Sequence, residues 1–142
     1  MKRQITADTL RELPTSKVND LFEALGPRKV EELKHDWNFW ARDNQLAPEG
    51  DDWNTWFINA GRGFGKTRSG VEWVREQVKG GIKRIAAVAS TNSDIERVMV
   101  KGESGFLSVC WKGDKTYAGK KMGFPEWSPT KRTLTWENGA QV

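Results

Sequence analysis

One cysteine, Cys110, and one histidine, His35, in a chain of 142 residues leave little room for redox or metal chemistry. A lone cysteine excludes an internal disulfide and any cysteine metal cluster, so Cys110 reads as a small buried hydrophobe. His35 lies among Glu31, Glu32 and Asp36, a set that can in principle help hold a metal but that by spacing reads as a solvated helix surface. Long apolar runs are also missing. Ile85 to Ala89 is among the longest, far below the roughly 20 residues that a membrane-spanning helix needs. The opening residues Met1 to Gln4 lead into a mixed polar stretch with no apolar segment and no small-residue cleavage site. No signal peptide is therefore expected, and the expected location is a cytoplasm.

The net charge of +4 is unevenly spread: residues 1–50 hold 8 basic and 9 acidic side chains, leaving 15 and 10 of the chain's 23 and 19 for the remainder. A basic excess of this size suits contact with phosphates and is also compatible with an ordinary surface. Eight tryptophans are many for this length. Some can stack on bases, but most read as packing residues.

Residues 1–50 predict a helical N-terminal extension. Ser16 is placed to cap a helix carrying Val18, Leu21, Phe22 and Leu25 on one face, stopped by Gly26-Pro27. A second helix is expected to carry Val30, Leu33, Trp37 and Trp40 as an apolar stripe. Asn44 to Asp52 combines Pro, Gly and Asp and marks a loop before a second domain over residues 51–142. There the pattern predicts a short buried strand at Trp56 to Ile58, a loop over Gly61 to Gly65, and a helix from Lys66 to about Lys79 with Val71, Val74 and Val78 inward. Gly80-Gly81 ends that helix. Arg84 to Ala89 follows as a continuous apolar run, expected as a strand buried on both faces of a parallel sheet. Residues 54–90 thus read as a βαβ unit. Ser90 to Ser93 supply caps for a helix from about Asp94, which Gly102 interrupts. Lys131 to Trp136 alternates as a strand does, and Glu137 to Ala140 is a hairpin turn signal.

The string carrying chemistry is Asn59-Ala60-Gly61-Arg62-Gly63-Phe64-Gly65-Lys66-Thr67-Arg68. It follows the phosphate-binding pattern G-x-x-x-x-G-K-[ST], with Ala60 in place of the first glycine. A phosphate chain needs closely spaced backbone N–H donors, and Gly61, Gly63 and Gly65 let the main chain curl around it without Cβ clashes. The helix that follows adds its own free N–H groups, from Lys66 to Arg68, and its dipole. Lys66 is placed to reach the β and γ phosphates of ATP, and the Thr67 hydroxyl to ligate Mg²⁺ between them. Arg62 is either a further cation for phosphoryl transfer or a solvated loop residue. The amide of Gln45 has the donor and acceptor needed to read the edge of adenine, although a loop glutamine by itself says little.

Beyond the pattern itself, Trp40 to Pro48 (WARDNQLAP), Trp56 to Trp73 (WFINAGRGFGKTRSGVEW), Asp94 to Gly105 (DIERVMVKGESG) and Arg132 to Ala140 (RTLTWENGA) resemble the ATPase region of tailed-bacteriophage terminase large subunits. The resemblance spans roughly residues 37–142. It implies an α/β fold, a three-layer P-loop NTPase core, incomplete here, behind the helical extension. It implies an ATPase motor that moves double-stranded DNA into a procapsid, in chains that also carry a nuclease domain. Lys66 and Thr67 then fall on the Walker A positions, Gly61, Gly63, Phe64, Gly65 and Arg68 on the nucleotide-binding loop, Arg62 on the loop arginine and Gln45 on the adenine-contacting motif. Implied partners are double-stranded DNA, the terminase small subunit, the portal protein and further copies in a ring, in the cytoplasm of a bacterial host and transiently at the procapsid. The chain departs from the family in one respect: no apolar run ending in Asp-Glu follows Lys66, and no spaced set of carboxylates suits a two-metal nuclease. The expectation is a motor fragment ending ahead of Walker B. Two other readings remain open, another P-loop DNA translocase of helicase type and a non-catalytic module that binds the packaging complex.

Overall fold

The computed structural model of the chain describes residues 6–50 and 52–142, so the leader reading at Met1 to Gln4 and the contribution of Asp51 lie outside the described residues. Two compact units divide at Leu46/Ala47, inside the loop expected from Asn44 to Asp52.

The first unit is helical. Helix α1 (Ala7–Arg11) is capped by Thr6, whose N–H donates to Thr9 Oγ1 at 2.7 Å while its own hydroxyl accepts from the Thr9 N–H. Helix α2 (Thr15–Lys34) begins two residues earlier than a cap at Ser16 predicts. Pro14 occupies the cap position without a side-chain bond, and its carbonyl accepts from the Val18 N–H at 3.2 Å. The expected break at Gly26-Pro27 is a kink: Gly26 leaves the helix with φ 75° and ψ 162°, and the chain turns helical again at Pro27. Proline suits that restart, because the first turn of a helix has no acceptor for its missing N–H. The four-residue apolar stripe expected on one helix is split. The last turn of α2 ends at Lys34, His35 leaves it with φ −104° and ψ 6°, and Asp36 caps a separate α3 (Trp37–Trp40) by accepting from the Asn38 N–H. Trp40 instead packs edge-to-face on Phe39, and its indole donates to the Leu33 carbonyl at 2.8 Å.

The second unit is built on α4 (Lys66–Lys79), whose bounds and inward valines match the sequence reading: Val71, Val74 and Val78 are buried. They pack in a cluster with Val100, Phe106, Val109, Met122, Leu134 and Trp136. Thr91 caps a short α5 (Asn92–Asp94) that widens into a π-helical turn over Ile95–Val100, and α6 (Phe106–Val109) follows. Strand β1 (Glu126–Ser128) pairs antiparallel with β2 (Thr133–Thr135), Trp127 opposite Leu134. The turn at Glu137 to Ala140 forms as expected, with Gly139 at φ 84° and the Trp136 N–H donating to the Ala140 carbonyl.

The two segments expected as buried parallel strands are extended but form no ladder among the described residues. Around Trp56 to Ile58 no pairing is present, and Phe57 is 81% exposed. Along Arg84 to Ala89 the only pairing among the described residues is a parallel bridge between Arg84 and Gln141. Ile85 and Ala87 face the core while Val88 is 83% exposed, so only one face is covered. Burial on both faces requires a second packed layer, and none covers Val88 in the described residues. No helix of the described residues is long and apolar enough to cross a membrane.

Candidate phosphate-binding site

The loop ahead of α4 is shaped by its glycines. Gly63 (φ 77°) and Gly65 (φ 96°, ψ 26°) lie in the left-handed region, which costs a residue with a Cβ about 1–2 kcal/mol. Gly65 is also the cap of α4, so the chain reverses its hand in the last residue before the helix. Ala60 has no positive φ and accommodates its methyl without strain. A Cβ built at Gly61 or Gly63 would meet no atom within 4 Å, leaving open space over the loop.

The Ser69 N–H donates to the Gly65 carbonyl at 2.9 Å, the first capping bond of α4. The donors ahead of it have no intrahelical acceptor, as at any helix start, and they lie at the positive end of the dipole. Lys66 curls back over the loop: its ammonium donates to the carbonyls of Ala60 and Gly61, both at 2.7 Å. Two of its three protons are thus spent holding the start of the loop against its end. Thr67 is half-buried, and its hydroxyl has no protein partner among the described residues. Arg62 is exposed. Arg68 lies back along the helix and meets Glu72 Oε1 through Nε at 2.9 Å and Nη2 at 2.8 Å.

Gly61 to Arg68 are therefore one local constellation in the second unit. Gln45 belongs to the first unit, in the 3₁₀ turn Asp43–Gln45, where it is buried and its amide oxygen accepts from the Arg42 N–H at 3.1 Å. His35 stands 3.6 Å from Glu31, and no group of three or more metal-capable side chains occurs among the described residues.

Sequence reasoning missed the buried charges behind the loop. Glu72 and Arg75 are buried on α4 and Asp114 on a distant loop. Arg75 meets Asp114 in a two-pronged pair (Nε–Oδ2 2.6 Å, Nη2–Oδ1 2.5 Å) and Glu72 Oε2 at 2.9 Å. Burial opposes the charge on Arg75, but the two carboxylates outweigh it and hold the guanidinium more firmly protonated than in water. The spacing of Arg68, Glu72 and Arg75 along one helix face was a readable signal for the intrahelical pairs. Asp114, 39 positions from Arg75, left none. Chemically, the chain Arg68–Glu72–Arg75–Asp114 ties the helix that presents Lys66 to the loop after Cys110.

Searches of this chain against protein-family models, curated proteins and solved structures find no match.

Proposed function

We propose that this chain is an ATP-binding region of a tailed-phage terminase large subunit, built on an α/β P-loop core. The observation that carries the reading is the loop before α4: two left-handed glycines, open space above Gly61 and Gly63, and Lys66 folded over the carbonyls of Ala60 and Gly61. Anion-binding loops need that combination of tight curl, unblocked N–H groups and one poised cation. When bound, ATP with Mg²⁺ supplies the transferable phosphoryl group. Lys66 exchanges its carbonyl contacts for phosphate oxygens, the backbone of Gly61 to Arg68 donates to the same anion, and Thr67 offers its hydroxyl to the metal. Arg62 adds a second cation from the exposed loop. No group of three or more metal-capable side chains occurs among the described residues, so Mg²⁺ would be held by the Thr67 hydroxyl, phosphate oxygens and water. The partners carried by the resemblance, double-stranded DNA, small subunit, portal and neighbouring copies in a ring, belong to this proposal, as does the host cytoplasm.

The test is calorimetric titration with Mg²⁺-ATP of the chain and of Lys66→Ala, beside a phosphate-release assay. Binding that disappears in Lys66→Ala is the expected result. Release is expected to be absent, because no acidic pair follows Lys66 to activate water. A folded wild-type chain that takes up no nucleotide overturns the reading. A second reading, a partner-binding module for the packaging complex, draws on α2, where Val18, Leu21, Phe22 and Leu25 are only half-buried and no residue is fully buried. Tight binding to the small subunit or portal that survives loss of Lys66 favours it.

A further inference from the structure

The segment after Cys110 is a small, firmly anchored hairpin with an unusual charge pattern. Lys115 and Lys121 face each other in an antiparallel bridge, and Thr116 N–H donates to the Lys120 carbonyl at 2.8 Å around a turn in which Gly119 has φ 76°. Lys112, Lys115, Lys120 and Lys121 are all exposed. The one carboxylate in the segment, Asp114, is buried against Arg75 and offers the surface nothing. Like charges directly opposite each other across a bridge destabilise it. Here Lys121 has only a solvent-exposed contact with Glu137 (2.9 Å), a type of pair worth little, and Lys115 has no carboxylate partner among the described residues.

That repulsion is built on a rigid base. Asp114 is locked to Arg75, the Tyr117 N–H donates to the Lys79 carbonyl at 3.0 Å, the Tyr117 hydroxyl donates to Glu76, and Met122 N–H donates to the Asp114 carbonyl at 3.0 Å. The Tyr117 side chain is thereby tethered at its tip while the residue remains 72% exposed. Lysines held apart on a braced hairpin, interspersed with Gly, Thr and Ala and lacking a bulky aliphatic group to enter a bilayer, suit a row of backbone phosphates.

We propose that the hairpin Lys112–Lys121 is a contact surface for the phosphate backbone of double-stranded DNA, the choice of duplex resting on the function proposed above. The lysines neutralise phosphates without reading sequence, and Tyr117 lies against the sugar-phosphate ridge.

The test is fluorescence anisotropy with labelled duplexes of unrelated sequence over a salt series, on the full chain, Lys115→Gln/Lys120→Gln, and a charge-matched control, Lys17→Gln/Lys29→Gln. Each lost phosphate contact lowers the slope of log affinity against log salt by about 0.9. The hairpin variant is thus expected to have a slope shallower by roughly 1.8 and affinity at least about tenfold weaker near 0.1 M salt. The control should match wild type in binding and in thermal melting, and the hairpin variant should melt no lower than wild type, since Lys115→Gln relieves the repulsion from Lys121. Absence of duplex binding by wild type, equal losses in both variants, or an unaltered hairpin variant overturns the proposal. So does a stronger, equally hairpin-dependent affinity for phosphatidylserine vesicles. Calorimetry with Mg²⁺-ATP on the same proteins separates the two claims. Hairpin-dependent DNA binding in a chain that takes up no nucleotide sinks the ATPase reading and leaves the hairpin surface standing.

Discussion

Replacing Asp114 with alanine tests the buried charge chain most directly. The substitution removes both prongs on Arg75, at 2.6 and 2.5 Å, from a guanidinium whose side chain is 1% exposed. Glu72 remains, but the partly exposed Arg68 shares it, so buried Arg75 keeps one of its two carboxylates and shares that one. Truncating one partner of a buried pair costs about 3–5 kcal/mol, because the other charge is left uncompensated. With Glu72 still present the lower end applies, about 3 kcal/mol. In a cooperative unit of this size, 1 kcal/mol moves the melting midpoint by roughly 4–8 °C, so a fall of about 12–24 °C is expected. Urea and thermal denaturation followed by circular dichroism read it. The double variant Arg75→Met/Asp114→Leu removes both charges and should recover much of the loss. An Asp114→Ala chain within about 0.5 kcal/mol of wild type refutes the reasoning, since that is the scale of ordinary surface substitutions. A double variant no more stable than the single one assigns the effect to packing instead of charge.

Burial pushes the Cys110 thiol up from 9.0 to about 12; Arg75 and Lys79 oppose the shift more weakly, and Asp114 and Glu72 add to it. A group raised on folding stabilises fully below its unfolded value, so stability should decline as pH rises from about 9 toward 12, and Cys110→Ala should lose that component of the decline in alkaline urea titrations. Gly65→Ala forces a Cβ into a left-handed cap and should destabilise the chain by about 1–2 kcal/mol, while lowering nucleotide affinity by disturbing the loop. Nucleotide affinity equal to wild type in that variant argues against the glycine curl as the binding element.

Local chemistry was legible where local rules decide. The helix Lys66–Lys79 follows from one valine stripe and a glycine pair, and the turn at residues 137–140 follows from Asn-Gly. Where the deciding partner is distant in sequence, reading failed. Nothing in Trp56 to Ile58 or Arg84 to Ala89 distinguishes a strand in a full sheet from an extended segment with one covered face, because apolar content is the same in both. Pro14 stands at the cap position in place of Ser16, and it joins the helix only through its carbonyl, which accepts from the Val18 N–H. His35 broke the tryptophan stripe because Asp36 starts its own helix. In the candidate site, the glycine loop and Lys66 were visible in the sequence. The charges behind them were not, since Arg75 and Asp114 look like any solvated pair until folding brings them together.

The uncovered face at Val88 has a consequence for handling the protein. Ala86 to Ser90 make no backbone–backbone hydrogen bond among the described residues, and Ile85 to Ser90 carry no charge. Such a stretch is a template on which a second chain can lay down a strand. Lys83 and Arg84 guard only its entrance, and register in a short alanine-rich run is weakly specified. Concentrated samples should therefore lose monomer through this edge first. A lysine at Val88, on the open face, is the smallest change that closes it.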